Sequence, residues 1–182
     1  MSAAFRDRVV LLDDHDRPVG HADRSRVHGR DTPRHLAFSC HLFDDRGRVL
    51  LTRRSLAKAA WPGVWTNACC GHPRPGEDGE AAVRRRVREE LGVGVERLAL
   101  ALPDFGYRAT DASGIVENEA CPVWVGRLSG TLAPDPAEVS ESSWVAWPDL
   151  VAAARALPVL LSPWAALQVP LLDELLREGG AA

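Results

Sequence analysis

Cys70 and His72 flank Gly71 in the run Trp65-Thr-Asn-Ala-Cys-Cys-Gly-His-Pro73, which brings a thiol and an imidazole into one short stretch. A thiol can give or take a proton, and an imidazole can do the same or ligate a metal. Val116-Glu-Asn-Glu-Ala120 holds a second reactive set. Side chains alternate along extended chain, so Glu117, Glu119 and Cys121 share one face, while Val116, Asn118 and Ala120 share the other. Neighbouring same-face Cα atoms then lie about 7 Å apart, close enough for both carboxylates to reach one ion. Arg53, Arg54 and Lys58 concentrate positive charge just before the thiol segment.

These groups need elements to position them. After Pro75-Gly76 a helix is expected from near Glu77, with Val83, Val87 and Leu91 stacked at four-residue spacing as one buried stripe and Gly92 as its stop. Arg86, Glu89 and Glu90 fall at i, i+3 and i+4 on a different face. Upstream, Val9–Leu12 reads as a short strand, 13–20 as a polar turn, and the arginine-rich segment through Pro33 as an ordered loop or short irregular arm, with a mobile surface loop as the alternative. From His35 a strand alternates Leu36, Phe38, Cys40 and Leu42 with His35, Ala37, Ser39 and His41, giving one apolar face and one small or polar face. A turn at 44–48 returns it through Val49–Thr52. Downstream, 98–102 and 104–109 are extended and Ile115–Val125 forms a single strand. An acidic connection follows at 134–141, then a last strand over 143–147. Helices are expected over 148–157 and 164–177, the second interrupted or kinked at Pro170.

The chain has 182 residues, enough for one well-packed domain and short for two. A net charge of −3 gives no general attraction to nucleic acid or anionic lipid. Lys58 is the only lysine among the cationic residues. Cys40, Cys69, Cys70 and Cys121 are too few for a disulfide scaffold, and no CxxC pair suggests a structural zinc site. The N-terminal residues lack the apolar core of a signal peptide, and prolines break the apolar stretch near the C-terminus. A reducing cytoplasm and no membrane association are therefore expected.

Gly71, Glu77, Arg85, Glu89, Glu90 and Gly92 stand at the spacing of the Nudix box. The chain resembles that family, and more narrowly the type 1 isopentenyl-diphosphate isomerases built on its fold. The pieces that carry the narrower resemblance run in order from about Val9 to Trp164. They read His28-Gly-Arg-Asp-Thr-Pro-Arg-His35-Leu-Ala-Phe-Ser, Thr52-Arg-Arg, Lys58 through Pro73, Tyr107-Arg-Ala-Thr, Val116-Glu-Asn-Glu119 and Ser162-Pro-Trp164. Family hydrolases usually carry a glutamate where this chain has Arg86. A guanidinium there turns a carboxylate metal face into a mixed one, better suited to gripping phosphate.

The resemblance implies an α/β (α+β) fold, a Nudix-like mixed β-sheet flanked by α-helices in a single domain over 1–182, with frayed tails at about 1–8 and 178–182. It implies isomerisation of isopentenyl diphosphate to dimethylallyl diphosphate by a 1,3-proton shift through a carbocation, in isoprenoid precursor synthesis. Cys70 and Glu119 match the acid–base pair, Tyr107 a residue bonded to that machinery, and Trp164 an indole whose face can stabilise a cation. His28, His35, His72, Glu117 and Glu119 match the ligands of one divalent ion, Mn²⁺, Zn²⁺ or Mg²⁺. Arg54, Lys58 and Arg86 match contacts to the diphosphate, and Glu90 matches a carboxylate holding Mg²⁺ on it. Two alternatives stand beside this reading. A Nudix hydrolase would favour glutamate over Arg86 and has no use for Cys70, and a non-catalytic binding protein would have lost matched residues. His15, His21 and His41 read as ordinary polar residues, and Cys40 and Cys121 as inert packing.

Overall fold

Two sheets part company at one bend in the chain. In the computed structural model, which describes residues 7–179, the elements run β1 (Arg8–Leu12), β2 (Pro18–Asp23), β3 (His35–Leu36), β4 (Phe38–Phe43), β5 (Arg48–Arg54), β6 (Trp65–Thr66) and β7 (Cys69–Gly71). Then come α1 (Gly79–Leu91), β8 (Gly94–Leu102), β9 (Gly106–Thr110), β10 (Val116–Ala120), β11 (Val123–Ser129), β12 (Val139–Ala146), α2 (Trp147–Ala156) and α3 (Pro163–Gly179). One sheet has the order β2-β1-β3-β10-β9, and the other β12-β5-β4-β11-β8, with β6 beside β5 and β7 beside β4. Of the tails expected to fray, residues 1–6 and 180–182 lie outside the described residues.

The bend explains both sheets. β3 pairs in parallel with β10, and β4 in parallel with β11. Between them, Ala37 N donates to Ala120 O at 2.8 Å and Ser39 N donates to Pro122 O at 3.1 Å, so pairing continues while both runs change sheets together. Pro122 has no N–H to offer a ladder, which suits the place where the sheets separate. The single strand expected over Ile115–Val125 is therefore two, and the one mixed sheet is two.

Both faces of the second sheet are covered. Phe38, Cys40, Leu42 and Leu50 pack with Val83, Val87 and Leu91 of α1. Val49 and Leu51 join Leu150 and Val151 of α2 and Trp164, Ala165 and Val169 of α3. The polar face of β4 is thus interior: Ser39 and His41 are fully buried.

Helix α1 starts two residues later than expected because Asp78 is its cap, accepting from Ala81 N at 3.1 Å. Gly92 ends it at φ 68°, a left-handed conformation in which its N–H bonds Arg88 O. The turn expected over 13–20 is shorter. Asp13 Oδ1 accepts from His15 N and Arg17 N at 2.9 and 3.0 Å, and the chain then returns as β2 along β1. The acidic connection at 134–141 yields to β12, which starts at Val139. Helix α3 continues through Pro170 without interruption. Proline removes one backbone bond there, and burial of Trp164, Ala165, Val169 and Leu172 outweighs the loss. Among the described residues, no helix is long and apolar enough to cross a membrane.

Candidate active site

Strand register lines up the first reactive row. Tyr107 on β9, Glu119 on β10 and His35 on β3 are cross-strand partners, so their side chains rise from the same face. Glu117, two residues from Glu119, shares that face. His28 arrives from the irregular arm, which is pinned where Val116 N donates to Gly29 O at 2.7 Å and Gly29 N to Thr32 Oγ1 at 2.9 Å. His72 follows β7, itself paired with β4. Sequence neighbours do none of this; the bend does.

His28, His35, His72 and Glu119 each present a ligand atom within 4.8 Å of the others. His35 Nδ1 lies 2.9 Å from Pro33 O, to which it donates, so Nε2 carries the lone pair toward the cluster. There it meets His72 Nε2 at 3.2 Å and Glu119 Oε1 at 3.5 Å, while His72 Nε2 is 3.3 Å from the same oxygen. His28 Nε2 is buried without a hydrogen-bond partner, 4.0 Å from Glu119 Oε1. Several lone pairs converging on one point repel unless a cation or proton lies between them, so this donor set fits a divalent ion.

Protonation agrees. Burial pushes His72 down to about 4, leaving a neutral imidazole able to ligate. Burial also acts downward on His35, but Glu119 outweighs it and the pKa rises. For Glu119, burial acts upward and the three facing histidines reverse it, holding the carboxylate ionised. Glu117 stands outside the group of four. Burial and the charge of Glu119 raise its pKa, and its Oε2 accepts a 2.5 Å bond from Tyr107 O–H.

His28 and His72 border a cleft of ≈ 560 Å³ that Cys70, Tyr107, Glu117, Glu119 and Trp164 also line. Cys70 is half-buried, with Sγ 3.3 Å from Asn67 Oδ1 and 3.4 Å from Ser39 Oγ, and burial pushes its thiol up to about 12. The neighbouring Cys69 points into the apolar cluster of α1. Trp164 is 2 % exposed and donates Nε1–H to Asn67 Oδ1 at 3.0 Å. Its ring centroid is 5.6 Å from those of Trp61 and Tyr107, and the Arg54 guanidinium lies 5.6 Å from it.

Arg54, Lys58, Arg86 and Glu90 sit on the cleft wall. Lys58 pairs with Glu138, and Arg86 with Glu90, with Glu89 at 2.8 Å and with Glu138 at 3.4 Å. Glu90 is therefore held by Arg86 and is not one of the four grouped donors. The wall also carries Arg24, from the turn after β2, and Glu138. Neither was singled out from the sequence, because each lies in a polar stretch without periodicity. Asn67, Ser39 and Gln168 were missed too. Their one signal is a polar residue inside an apolar pattern.

The sheet order and the helix with its following glycine define a class. The NUDIX domain family model matches residues 33–165. Among solved structures, the fold is similar to a protein from Deinococcus radiodurans, with TM-score 0.63 and 22% identity, covering 82% of this chain and 90% of that one. A MutT NUDIX hydrolase from Burkholderia pseudomallei gives TM-score 0.59 and 26% identity, covering 75% and 96%. Among curated proteins, the isopentenyl-diphosphate Delta-isomerase of Mycolicibacterium vanbaalenii is 59% identical over 165 residues, 91% of each chain. That of Frankia alni is 60% identical over 163 residues, 90% of this chain and 84% of its own. The chain belongs to this isopentenyl-diphosphate Delta-isomerase family of NUDIX proteins.

Proposed function

We propose that the protein interconverts isopentenyl diphosphate and dimethylallyl diphosphate by moving a proton across the allylic unit. The observation that carries this reading is one cleft onto which a protonated thiol, Cys70, and an ionised carboxylate, Glu119, both open beneath a wall of Arg54, Lys58 and Arg86. Such a pair can protonate one carbon and deprotonate another, and the cationic wall suits a diphosphate.

Each side chain has a task. Arg54, Lys58 and Arg86 hold the diphosphate, Lys58 and Arg86 exchanging part of their present pairing with Glu138 and Glu90 for phosphate oxygens and Arg54 its bonds to Ala60 O. Protonation of the terminal alkene carbon leaves a tertiary cation, which the buried indole of Trp164 stabilises through its quadrupole. Tyr107 fixes Glu117, and with it the carboxylate row beside Glu119. The walls of Tyr107 and Trp164, the latter backed by Trp61, exclude water that would trap the cation. A divalent ion, Mn²⁺, Zn²⁺ or Mg²⁺, would be held by His28, His35, His72 and Glu119, with Glu117 adjacent. When bound it supplies positive charge that sets the basicity of Glu119. Mg²⁺ arriving with the diphosphate would find Glu90. Four free cysteines support a reducing, cytoplasmic setting for a step in isoprenoid precursor synthesis.

Purified protein with Mg²⁺ and isopentenyl diphosphate is expected to yield the dimethylallyl isomer with little released phosphate. Rapid phosphate release from nucleoside diphosphate derivatives, with no allylic product, would move the chain to hydrolysis.

A further inference from the structure

A line of buried polar groups runs from deep under α3 to the thiol. His41 Nε2 lies 3.0 Å from Gln168 Oε1, Gln168 Nε2 is 2.9 Å from Ser39 Oγ, and Ser39 Oγ is 3.4 Å from Cys70 Sγ. His41, Gln168 and Ser39 are all at 0 % exposure. We propose that Ser39 and Gln168, anchored by His41, are positioning residues that aim the Cys70 thiol into the cleft. This rests on the isomerase reading above and adds to it the groups behind the thiol.

Donor and acceptor counting gives the chain a direction. Gln168 Oε1 can only accept, so His41 Nε2 carries the hydrogen and Nδ1 keeps an unpartnered lone pair. Turning the amide over would instead leave Nδ1–H as a buried orphan donor, which is the rarer and costlier outcome. Gln168 Nε2 then donates to Ser39 Oγ, whose single hydrogen must go to a sulfur. Two are within reach, Cys70 at 3.4 Å and Cys121 at 3.5 Å. On the far side of Cys70, the Asn67 amide nitrogen donates to Cys40 O and Cys69 O at 3.1 and 2.9 Å and lies 3.3 Å from Cys70 Sγ, while Asn67 Oδ1, 3.3 Å from the same sulfur, can accept the Cys70 S–H. The thiol is thus gripped twice. With the Ser39 hydrogen turned to the nearer sulfur, the thiol accepts from Ser39 and donates to Asn67, which also holds Trp164. A thiol free to rotate would lose that aim, and misplacement by about 1 Å can cost on the order of 10²-fold in rate.

Steady-state kinetics with isopentenyl diphosphate, metal content and thermal melts of five variants test this. Ser39→Ala is expected to lower kcat roughly 10- to 100-fold with KM and metal content unchanged. Ser39→Thr, which keeps the hydroxyl, should recover much of the loss. Gln168→Met, similar in volume but without the amide, should lower kcat too. The double variant Ser39→Ala/Gln168→Met should be no worse than Ser39→Ala, because the two residues act in series. Cys121→Ala should keep kcat near that of the unaltered enzyme. Full kcat in Ser39→Ala, a raised KM in place of a lowered kcat, multiplied losses in the double variant, or an equal loss in Cys121→Ala would overturn the assignment. If Ser39→Ala does not fold, Gln168→Met decides alone: folded with lowered kcat supports the proposal, and folded with full kcat overturns it. An unaltered protein that forms no allylic product refutes the isomerase reading itself, and this assignment with it, whereas a fully active Ser39→Ala refutes only the assignment.

Discussion

Cys70→Ala is expected to lose at least the 10²–10⁴-fold that removal of a general acid or base typically costs, while Cys69→Ala stays active. The two thiols are adjacent, yet strand β7 sends them to opposite sides. Cys70 borders the cleft and is held by Ser39 and Asn67, beside Trp164. Cys69 also touches the cleft, but it is 2 % exposed among Phe38, Val83 and Val87, with its Sγ on Cys70 O. Its loss removes packing and no proton carrier, so about 1 kcal/mol of stability is the expected scale. Turnover of isopentenyl diphosphate, measured beside thermal melts and metal content, separates the two. Equal losses, or a larger loss at Cys69, would overturn the role of Cys70.

His72→Ala should lose bound metal and activity together. Its Nε2 meets both His35 Nε2 and Glu119 Oε1 at the centre of the four-donor group, so removal opens one quarter of the set. Even outer partners of metal ligands typically cost 10–100-fold in affinity or activity, and a direct donor should cost at least about that. Because the donors come from separate elements that only the fold assembles, bound metal should also raise the melting temperature, and His72→Ala should shrink that rise. Elemental analysis after gel filtration gives the direct reading. A full metal complement in the variant would remove His72 from the ligand set.

What could be read from the chain follows the range of the forces involved. Helix α1 was legible because its stripe, its stop and the Arg86, Glu89 and Glu90 face are set within a few residues. The shared face of Glu117 and Glu119 was legible because alternation is a local property. The break between β10 and β11 was not, since apolar residues continue past Ala120. Only the parallel pairing with β3 and β4, some eighty residues earlier (Glu119 with His35), shows that both runs bend together. Strand β2 escaped notice because it is a largely exposed edge without an apolar face. His41 read as an ordinary polar residue, yet it anchors a buried line through Gln168, 127 positions away. Helix α3 persists through Pro170 because burial of its inner face overrides a local penalty. The candidate metal donors were named through the resemblance. The geometry groups four of them, and sets Glu117 on Tyr107 and Glu90 on Arg86.

The central claim is that two separate groups move protons across an allylic unit, and turnover in D₂O tests it most directly. If one group delivers a proton and another removes a different one, the delivered hydrogen comes from a side chain that has exchanged with solvent. Dimethylallyl diphosphate formed in D₂O, isolated before reverse turnover, is then expected to carry one deuterium in a methyl group, with the diphosphate intact. Allylic product without deuterium would mean that a single group shuttles one hydrogen between the two carbons. Released phosphate without allylic product would mean that this cleft performs hydrolysis, and either result would contradict the account.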